Sequence, residues 1–347
     1  MNRLPIAIVG LNFGHHIILQ LQREPAQSLF EIVAVCDLDR ARTNKKAKEL
    51  KVKAYYDIDH LLADSEIPIV GLFTGPEGRA DLLRKVIRAG KDVMTTKPFE
   101  VDLKAAEGIL KEAKKLGRVI HLNSPSPTQS QDLAQIARWH GEFNLGRPIG
   151  ARADVWAFYC EAADGTWYDD PLRCPLAPIF RLGIYLINDL IDLLGPVEVV
   201  QAFHSRVFTK RPTPDNAQLA LRFKNGALAN IFCSFCVDDG QFYRNTLTLN
   251  FERGTIYRNH PPAIQTPASF NKCKLMLVTR RQKKSIVLKK KALELSGAYQ
   301  WKAFHQAVSS RGRSKVARAP STGQIIESLK VIQAMSRSEN SGRTEIV

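Results

Sequence analysis

Three groups of residues in this 347-residue chain have the types and the spacing to do chemistry. The first is Lys97 in the stretch KDVMTTKPFE, Lys91–Glu100. A β-type run, Asp92–Thr95, carries the lysine to a strand end, and Pro98 stops the strand because it has no N–H for the ladder. The proline also keeps residue 97 extended. A cation fixed at the carboxyl end of a strand stands where open α/β sheets bind ligands. Taken alone, Lys97 reads first as a surface lysine at a strand end. The second group is Gly10-Leu11-Asn12-Phe13-Gly14, followed 23 residues beyond Gly14 by Asp37. The third is Arg181, Tyr185, Asn188 and Asp192, whose spacings of four, three and four put them on one face of a helix.

The elements needed to position these groups are present. Leu4–Gly10 is a short apolar run ending in glycine, the form of a buried parallel strand. A helical pattern runs from the glycine turn to about Arg23. Then come the strand Ile32–Asp37, a basic helix Leu38–Leu50, the short strand Lys53–Tyr55, the strand Ile67–Phe73 and the helix Gly78–Ala89. The strand into Lys97, the helix Asp102–Leu116 and the strand Val119–Asn123 follow. Strands alternating with helices of about ten residues predict a doubly wound parallel sheet.

In that setting Gly10 permits a tight turn, and Gly14 lets the backbone approach a pyrophosphate at a helix N-terminus. Asn12 stands where a middle glycine is usual, and asparagine tolerates left-handed backbone better than most residues. Asp37 is placed to accept from ribose hydroxyls and to repel a 2′-phosphate, which favours NAD; Arg40 and Arg42 leave room for NADP.

After Asn123 the composition changes. Ser124-Pro-Ser-Pro127 reads as a crossing between domains, giving an expected division into 1–123 and 124–347. The second part opens with a helix, Gln129–Trp139, and is then rich in strands: Ile149–Phe158, Val197–Val207, Ala217–Phe223, Ala227–Val237, Thr246–Phe251 and Gly254–Arg258. Asn225-Gly226 supplies a hairpin turn of the type that strand twist favours. An α+β domain with an open, mainly antiparallel sheet is expected, its outer face suited to a homodimer or homotetramer. Ala298–Val308 and Thr322–Ser336 read as amphipathic helices, the latter a candidate to pack back on the first domain. The helix Ile179–Leu194 is apolar nearly all round, which marks it as buried and makes its polar face either a solvated stripe or a cleft.

Composition narrows the class further. With 44% hydrophobic and 24% charged residues the chain is an ordinary globular protein. No apolar run reaches the length of a membrane helix and no signal peptide is visible, so cytoplasm and no membrane partner are expected. The net charge of +16 is concentrated late, residues 266–347 holding 17 Lys/Arg against 4 Asp/Glu. Much of it lies in Lys272–Lys291 and Arg311–Arg318. Such runs are more often solvated faces than polyanion sites, and no nucleic-acid motif accompanies them, so nucleic-acid binding is disfavoured. Cys233-x-x-Cys236 lacks a second pair and its members point to opposite faces of a strand, so no metal site is expected.

The residues then resemble, nearly end to end, the glucose–fructose oxidoreductase / inositol dehydrogenase (Gfo/Idh/MocA) family. The resemblance is carried by IAIVGLNFG, VAVCD, RAGKDVMTTKPFEVD (Arg88–Asp102), WYDDP (Trp167–Pro171), RLGIYLINDLIDLLG (Arg181–Gly195) and SRSENSGRTEIV (Ser336–Val347). The family's E-K-P signature falls on Thr96-Lys97-Pro98, without the glutamate. Its D-x-G-x-H-x-x-D/N motif falls on Arg181-x-Gly183-x-Tyr185-x-x-Asn188, with arginine for aspartate and tyrosine for histidine. The resemblance implies a nicotinamide cofactor on the first domain and a small molecule (sugar, polyol or sugar acid) on the second. Gly10, Asn12, Phe13, Gly14, Asp37, Thr74, Gly75, Pro76, Thr96, Lys97 and Pro98 would line the cofactor. Lys97 and Tyr185 would be catalytic, with Lys97 stabilising a developing alkoxide and Tyr185 as base or acid. Arg181, Asn188, Asp189 and Trp167 would bind substrate: Arg181 by gripping a carboxylate, Trp167 by stacking on a ring or by packing alone. Hydride transfer between nicotinamide and a sugar, polyol or related carbonyl is the implied reaction. A catalytically silent dinucleotide-binding regulator and an NAD-using glycoside hydrolase or lyase are the alternatives.

Overall fold

The computed structural model describes residues 3–240, 243–260, 271–281, 284–310 and 319–347. The chain divides into two compact units. The first comprises Met1–Thr128 and Tyr299–Ile326, the second Gln129–Ala298 and Glu327–Val347. The expected boundary at 123/124 thus falls five residues early, and the first unit also takes a late segment that the sequence reading gave to the second. The reason is apolar: Trp301, Phe304, Ala307 and Val308 are buried with Phe30, Val35, Met94 and Val119 in one core.

In the first unit, strands β1 (Leu4–Val9), β2 (Phe30–Cys36), β3 (Lys53–Tyr55), β4 (Ile69–Leu72), β5 (Asp92–Thr95) and β6 (Ile120–Leu122) alternate with helices. These are α1 (Leu11–Leu21), α2 (Arg40–Leu50), α3 (Ile58–Ala63), α4 (Arg79–Arg88) and α5 (Leu103–Lys115). All six strands are parallel, in the order β3-β2-β1-β4-β5-β6. The doubly wound Rossmann sheet expected from the alternation is therefore present. Its reversal of strand order lies between β1 and β4, and ligands of such sheets bind outside the carboxyl ends of the strands at this switch point.

The second unit holds helices α6 (Gln131–Glu142) and α7 (Ile184–Leu194) and a nine-stranded sheet. Its strands are β7 (Pro148–Trp156), β8 (Val197–Ser205), β9 (Asn216–Phe223), β10 (Leu228–Ser234), β11 (Arg244–Phe251), β12 (Gly254–Arg258), β13 (Lys272–Arg281), β14 (Lys284–Glu294) and β15 (Glu345–Ile346). The order is β14-β13-β12-β11-β7-β10-β9-β8-β15, antiparallel except for the pair β7–β10. Strands β13 and β14 are the basic stretch that the sequence reading left without structure. Cys273, Leu275 and Leu277 alternate inward while Lys272, Lys274 and Arg280 face out, and lysines on the sheet edge discourage pairing with another chain. The basic run Arg311–Arg318 lies outside the described residues. Helices α8 (Trp301–Ser309) and α9 (Thr322–Ser341) close the element list, the latter five residues longer than expected. No helix among the described residues is long and apolar enough to cross a membrane.

Candidate functional site

The first unit builds its site at the strand ends. Gly10 has φ +84, and a Cβ there would fall 2.8 Å from the Phe73 carbonyl oxygen, so only glycine fits this turn. The helix starts immediately afterwards. Asn12 is helical rather than left-handed, which corrects the expectation that it replaces a turn glycine. Gly14 is also inside α1. A Cβ on it would meet Ile8 at 2.9 Å, so this glycine lets helix and strand pack closely, which is a different role from the expected phosphate approach. Asn12 and Phe13 are exposed on the first turn, which carries no acidic residue of its own, and the N-cap residue Gly10 has no side chain to cap it. The dipole of α1 favours an anion at this end.

Asp37 follows β2 and reaches this turn: its Oδ2 accepts the Leu11 N–H at 2.7 Å and its Oδ1 the Asp39 N–H at 3.0 Å. Arg42 stands 3.5 Å from the same carboxylate, while Arg40 lies over the Tyr56 ring. The cradle therefore fits a dinucleotide: a glycine that admits no Cβ, the N-terminus of a helix and a carboxylate bonded to its first N–H.

The ends of β4 and β5 are tied by a residue that sequence reasoning missed. Arg79, 1% exposed, donates to the carbonyls of Thr74, Thr96 (2.5 Å) and Pro98. In sequence it is one more basic residue at the start of an amphipathic helix, and nothing marks it as buried. Glu100 completes the clamp by accepting the Ala80 N–H at 2.7 Å. Thr74, Gly75, Pro76, Thr96, Lys97 and Pro98 are thereby gathered on one framework. The Lys97 N–H donates to Asn123 Oδ1 at 3.0 Å, which ties the lysine's backbone to the segment after β6. Lys91, at the other end of the stretch, is buried and donates to the carbonyls of Asp64 and Ile67; burial lowers its pKa. Tyr299 lies edge-on to Phe73 and stacks on Trp301.

The second unit has its own cluster around the helix of Arg181 and Tyr185. Ile179–Gly183 is a π-helical turn that passes into α7, so Arg181 lies outside the regular 3.6-residue phase of Tyr185, Asn188 and Asp192. A Cβ on Gly183 would fall 2.7 Å from Cys233 Sγ, so the helix lies directly on β10. Cys233 is thus a packing residue, and burial raises its pKa well above the usual value. Gly297, φ +87, lies flat against Tyr185; a Cβ there would be 2.5 Å from the ring. Tyr185 is half-buried, Asn188 buried and Asp192 exposed, with Gln129 donating to Asp192 at 3.1 Å.

Two expected substrate residues are already engaged. Asp189 is buried and accepts from Arg258 at 2.7 Å and from the Ser296 hydroxyl at 2.7 Å, which removes it from the set a ligand can use. Burial raises its pKa while Arg258 opposes the rise. Arg181 is held by Glu161 through both terminal nitrogens, at 2.6 and 2.9 Å. Its guanidinium lies over the rings of Tyr168 (4.2 Å), Phe235 (4.7 Å) and Tyr159 (4.9 Å). Trp167, half-buried, packs on Tyr168, ring centroids 4.1 Å apart, and edge-on to Phe180.

Comparison with known proteins agrees with both units. Residues 4–124 match the model described as oxidoreductase family, NAD-binding Rossmann fold (GFO_IDH_MocA), and residues 133–257 match the GFO/IDH/MocA C-terminal domain. An uncharacterized oxidoreductase of Schizosaccharomyces pombe is 26% identical over 186 residues, covering 50% of this chain and 47% of that one. The 1,5-anhydro-D-fructose reductase of Ensifer adhaerens is 26% identical over 212 residues, 59% of this chain and 62% of that one. The matches span about half the length of these curated relatives. Among solved structures, an oxidoreductase domain protein from Kribbella flavida aligns over 100% of both chains with a TM-score of 0.78 at 16% identity, a likeness of fold alone.

Proposed function

The chain belongs to the GFO/IDH/MocA oxidoreductase family, with its NAD-binding Rossmann fold, and from that premise we propose that it transfers a hydride between a nicotinamide cofactor and a sugar, polyol or sugar acid. The observation that carries the reading is the cradle of Gly10, the start of α1 and Asp37. Asp37 favours NAD; Arg42 beside it would accommodate NADP. Bound there, the cofactor supplies the hydride acceptor or donor.

The chain's own residues must then handle the proton and the charge. A C–OH carbon gives up hydride only as its hydroxyl loses a proton, so the reaction needs a base and a group that stabilises developing negative charge. Lys97 supplies the charge, on a framework fixed by Arg79. Tyr185 supplies the acid or base, its ring held by the bare backbone of Gly297. Asn188 is the buried polar group of that face.

Lys97→Ala should abolish turnover while NAD(H) binding, followed by nicotinamide fluorescence, persists; undiminished turnover defeats the assignment. A thermal-shift screen with NAD(H) and NADP(H), followed by sugars, inositols and sugar acids on the loaded protein, names the substrate. Cofactor binding without hydride transfer across that panel would favour the silent regulator instead.

The second unit's sheet also supports an oligomer. The strand register puts Phe203, Leu228 and Val287, all exposed, on one open face. A homodimer or homotetramer through that face is the proposed state, read by light scattering; a monomer at micromolar concentration rejects it.

A further inference from the structure

We propose that Arg181 is a receptor for a carboxylate on the substrate, and that Glu161 is an internal occupant which such a ligand displaces. The proposal deepens the reading above and rests on it for placing substrate at this helix.

Three observations in the second unit carry it. First, the contact between Arg181 and Glu161 is a fork-to-carboxylate pair with two parallel bonds, the geometry in which guanidinium recognises a carboxylate of any origin. Second, the arginine is shaped independently of its partner. Its side chain is 11% exposed, and three aromatic rings lie within 4.9 Å of its guanidinium carbon, fixing the plane of the fork and favouring its charge. Third, the partner comes from the least regular part of the unit. Glu161 lies in a segment between β7 and Trp167 that has no helix or strand, it follows the exposed Cys160 with φ +46, and its side chain is 30% exposed. A ligand approaching from solvent meets Glu161 before it meets Arg181.

The surrounding charges permit the exchange. Arg211 also approaches Glu161, with Nε at 3.3 Å, but it has two further carboxylates of its own, Asp169 at 2.5 Å and Asp164 at 3.1 Å. Departure of Glu161 therefore leaves Arg211 neutralised and leaves Arg181 with room for one planar anion. The rings of Tyr159 and Tyr168, which pack on the guanidinium, would flank that anion. The ligand class is a hydroxylated carboxylate such as an aldonic or uronic acid.

Cys160 offers a test that needs no turnover, so failure of the redox reading and failure of this proposal register separately. Five other cysteines are buried or partly so, and Cys160 is the exposed one. Its alkylation by iodoacetamide, followed by peptide mass spectrometry, is measured in the native protein with D-glucuronate, D-gluconate, D-glucose, sorbitol or sodium chloride. The two carboxylates should change the rate, and the neutral polyols and chloride should not. In calorimetry, Glu161→Gln should bind D-glucuronate at least about tenfold more tightly than the native protein, because the internal competitor is gone. The paired variant Glu161→Gln with Arg181→Gln should lose the preference for carboxylates over neutral polyols. An unchanged Cys160 rate with both acids, or native affinity in Glu161→Gln, overturns the proposal.

Discussion

Arg258 and Arg181, two of the second unit's arginines that are largely removed from water, are held in opposite ways. Arg258, on β12, is 0% exposed. It is met by Asp132 of α6 at 2.8 Å, Asp189 of α7 at 2.7 Å, Asn245 of β11 at 3.0 Å and Ser296 at 3.2 Å. Three of these four partners sit on regular elements, so the cation fastens two helices to the sheet. Arg181 is met by the Glu161 carboxylate from an irregular segment, with three aromatic rings around its guanidinium. A buried charge whose carboxylate partners are scaffold is a fastening; one whose partner is a loop carboxylate is exchangeable. Residue type does not separate the two cases, but the origin of the partners does.

Substitutions can break or sharpen this comparison. The largest effect is expected at Arg258. Arg258→Met leaves two carboxylates buried without their cation and should destabilise the protein by about 3–5 kcal/mol in urea titration. A loss equal to that of Glu161→Gln would erase the distinction.

His121, on β6 in the first unit, sharpens it from the other side, as a polar group buried without a fastening. Neither ring nitrogen has a hydrogen-bond partner among the described residues, and the ring packs on Phe304. Burial pushes its pKa down from 6.5 to about 3. As pH falls, the unfolded chain takes the proton first, so stability present above 6.5 is lost toward 3. His121→Leu should stabilise by about 1–2 kcal/mol at pH 7, from relief of an unmet polar group. The gain should grow by about 2 kcal/mol at pH 5, read as thermal midpoint against pH.

Glu339, on α9, is an intermediate case, accepting one N–H, that of Leu176, at 2.9 Å. Burial raises its carboxyl to about 7. The native state then favours the proton, so its contribution is full below the ordinary value of 4.5 and is lost as pH rises through 7. Glu339→Gln should remove that slope and be the more stable protein above pH 7 by about 1 kcal/mol, after allowance for partial exposure. A slope that survives the substitution would assign it to another group.

The smallest effect is expected at Glu161. A partly exposed ion pair contributes about 1 kcal/mol or less, so Glu161→Gln should unfold within that margin of the native protein. A loss of several kcal/mol would make Arg181 a second fastening.

Much of the first unit was legible in the sequence because its signals are local. The strand-helix alternation, the Gly10 turn and Asp37 are each written within a few tens of residues. What was hidden depends on distant partners. Arg79 looks like any helix-face arginine until the carbonyls of Thr74, Thr96 and Pro98 close around it. Asp189 looks like a substrate residue until Arg258 arrives from 69 positions away. Arg181 was read one turn at a time with a uniform period, and the π-helical turn breaks that period because Gly183 must seat on β10. Strands β13 and β14 were obscured by lysines whose charges belong to an outer face and an edge.

The return of α8 to the first unit carries a consequence for how the protein is made. The Phe30 ring stacks on Phe304 and meets Trp301 edge-on, though more than 270 residues of synthesis separate them. Strands β1 to β6 leave the ribosome long before the helix that covers part of their core has been translated. Domains tend to fold as units during synthesis. Here the N-terminal unit must wait with apolar surface open while eight of the nine strands of the other sheet emerge. Nascent chains stopped before Trp301 should therefore call on chaperones and give way to protease in the N-terminal half, whatever the state of the domain that follows.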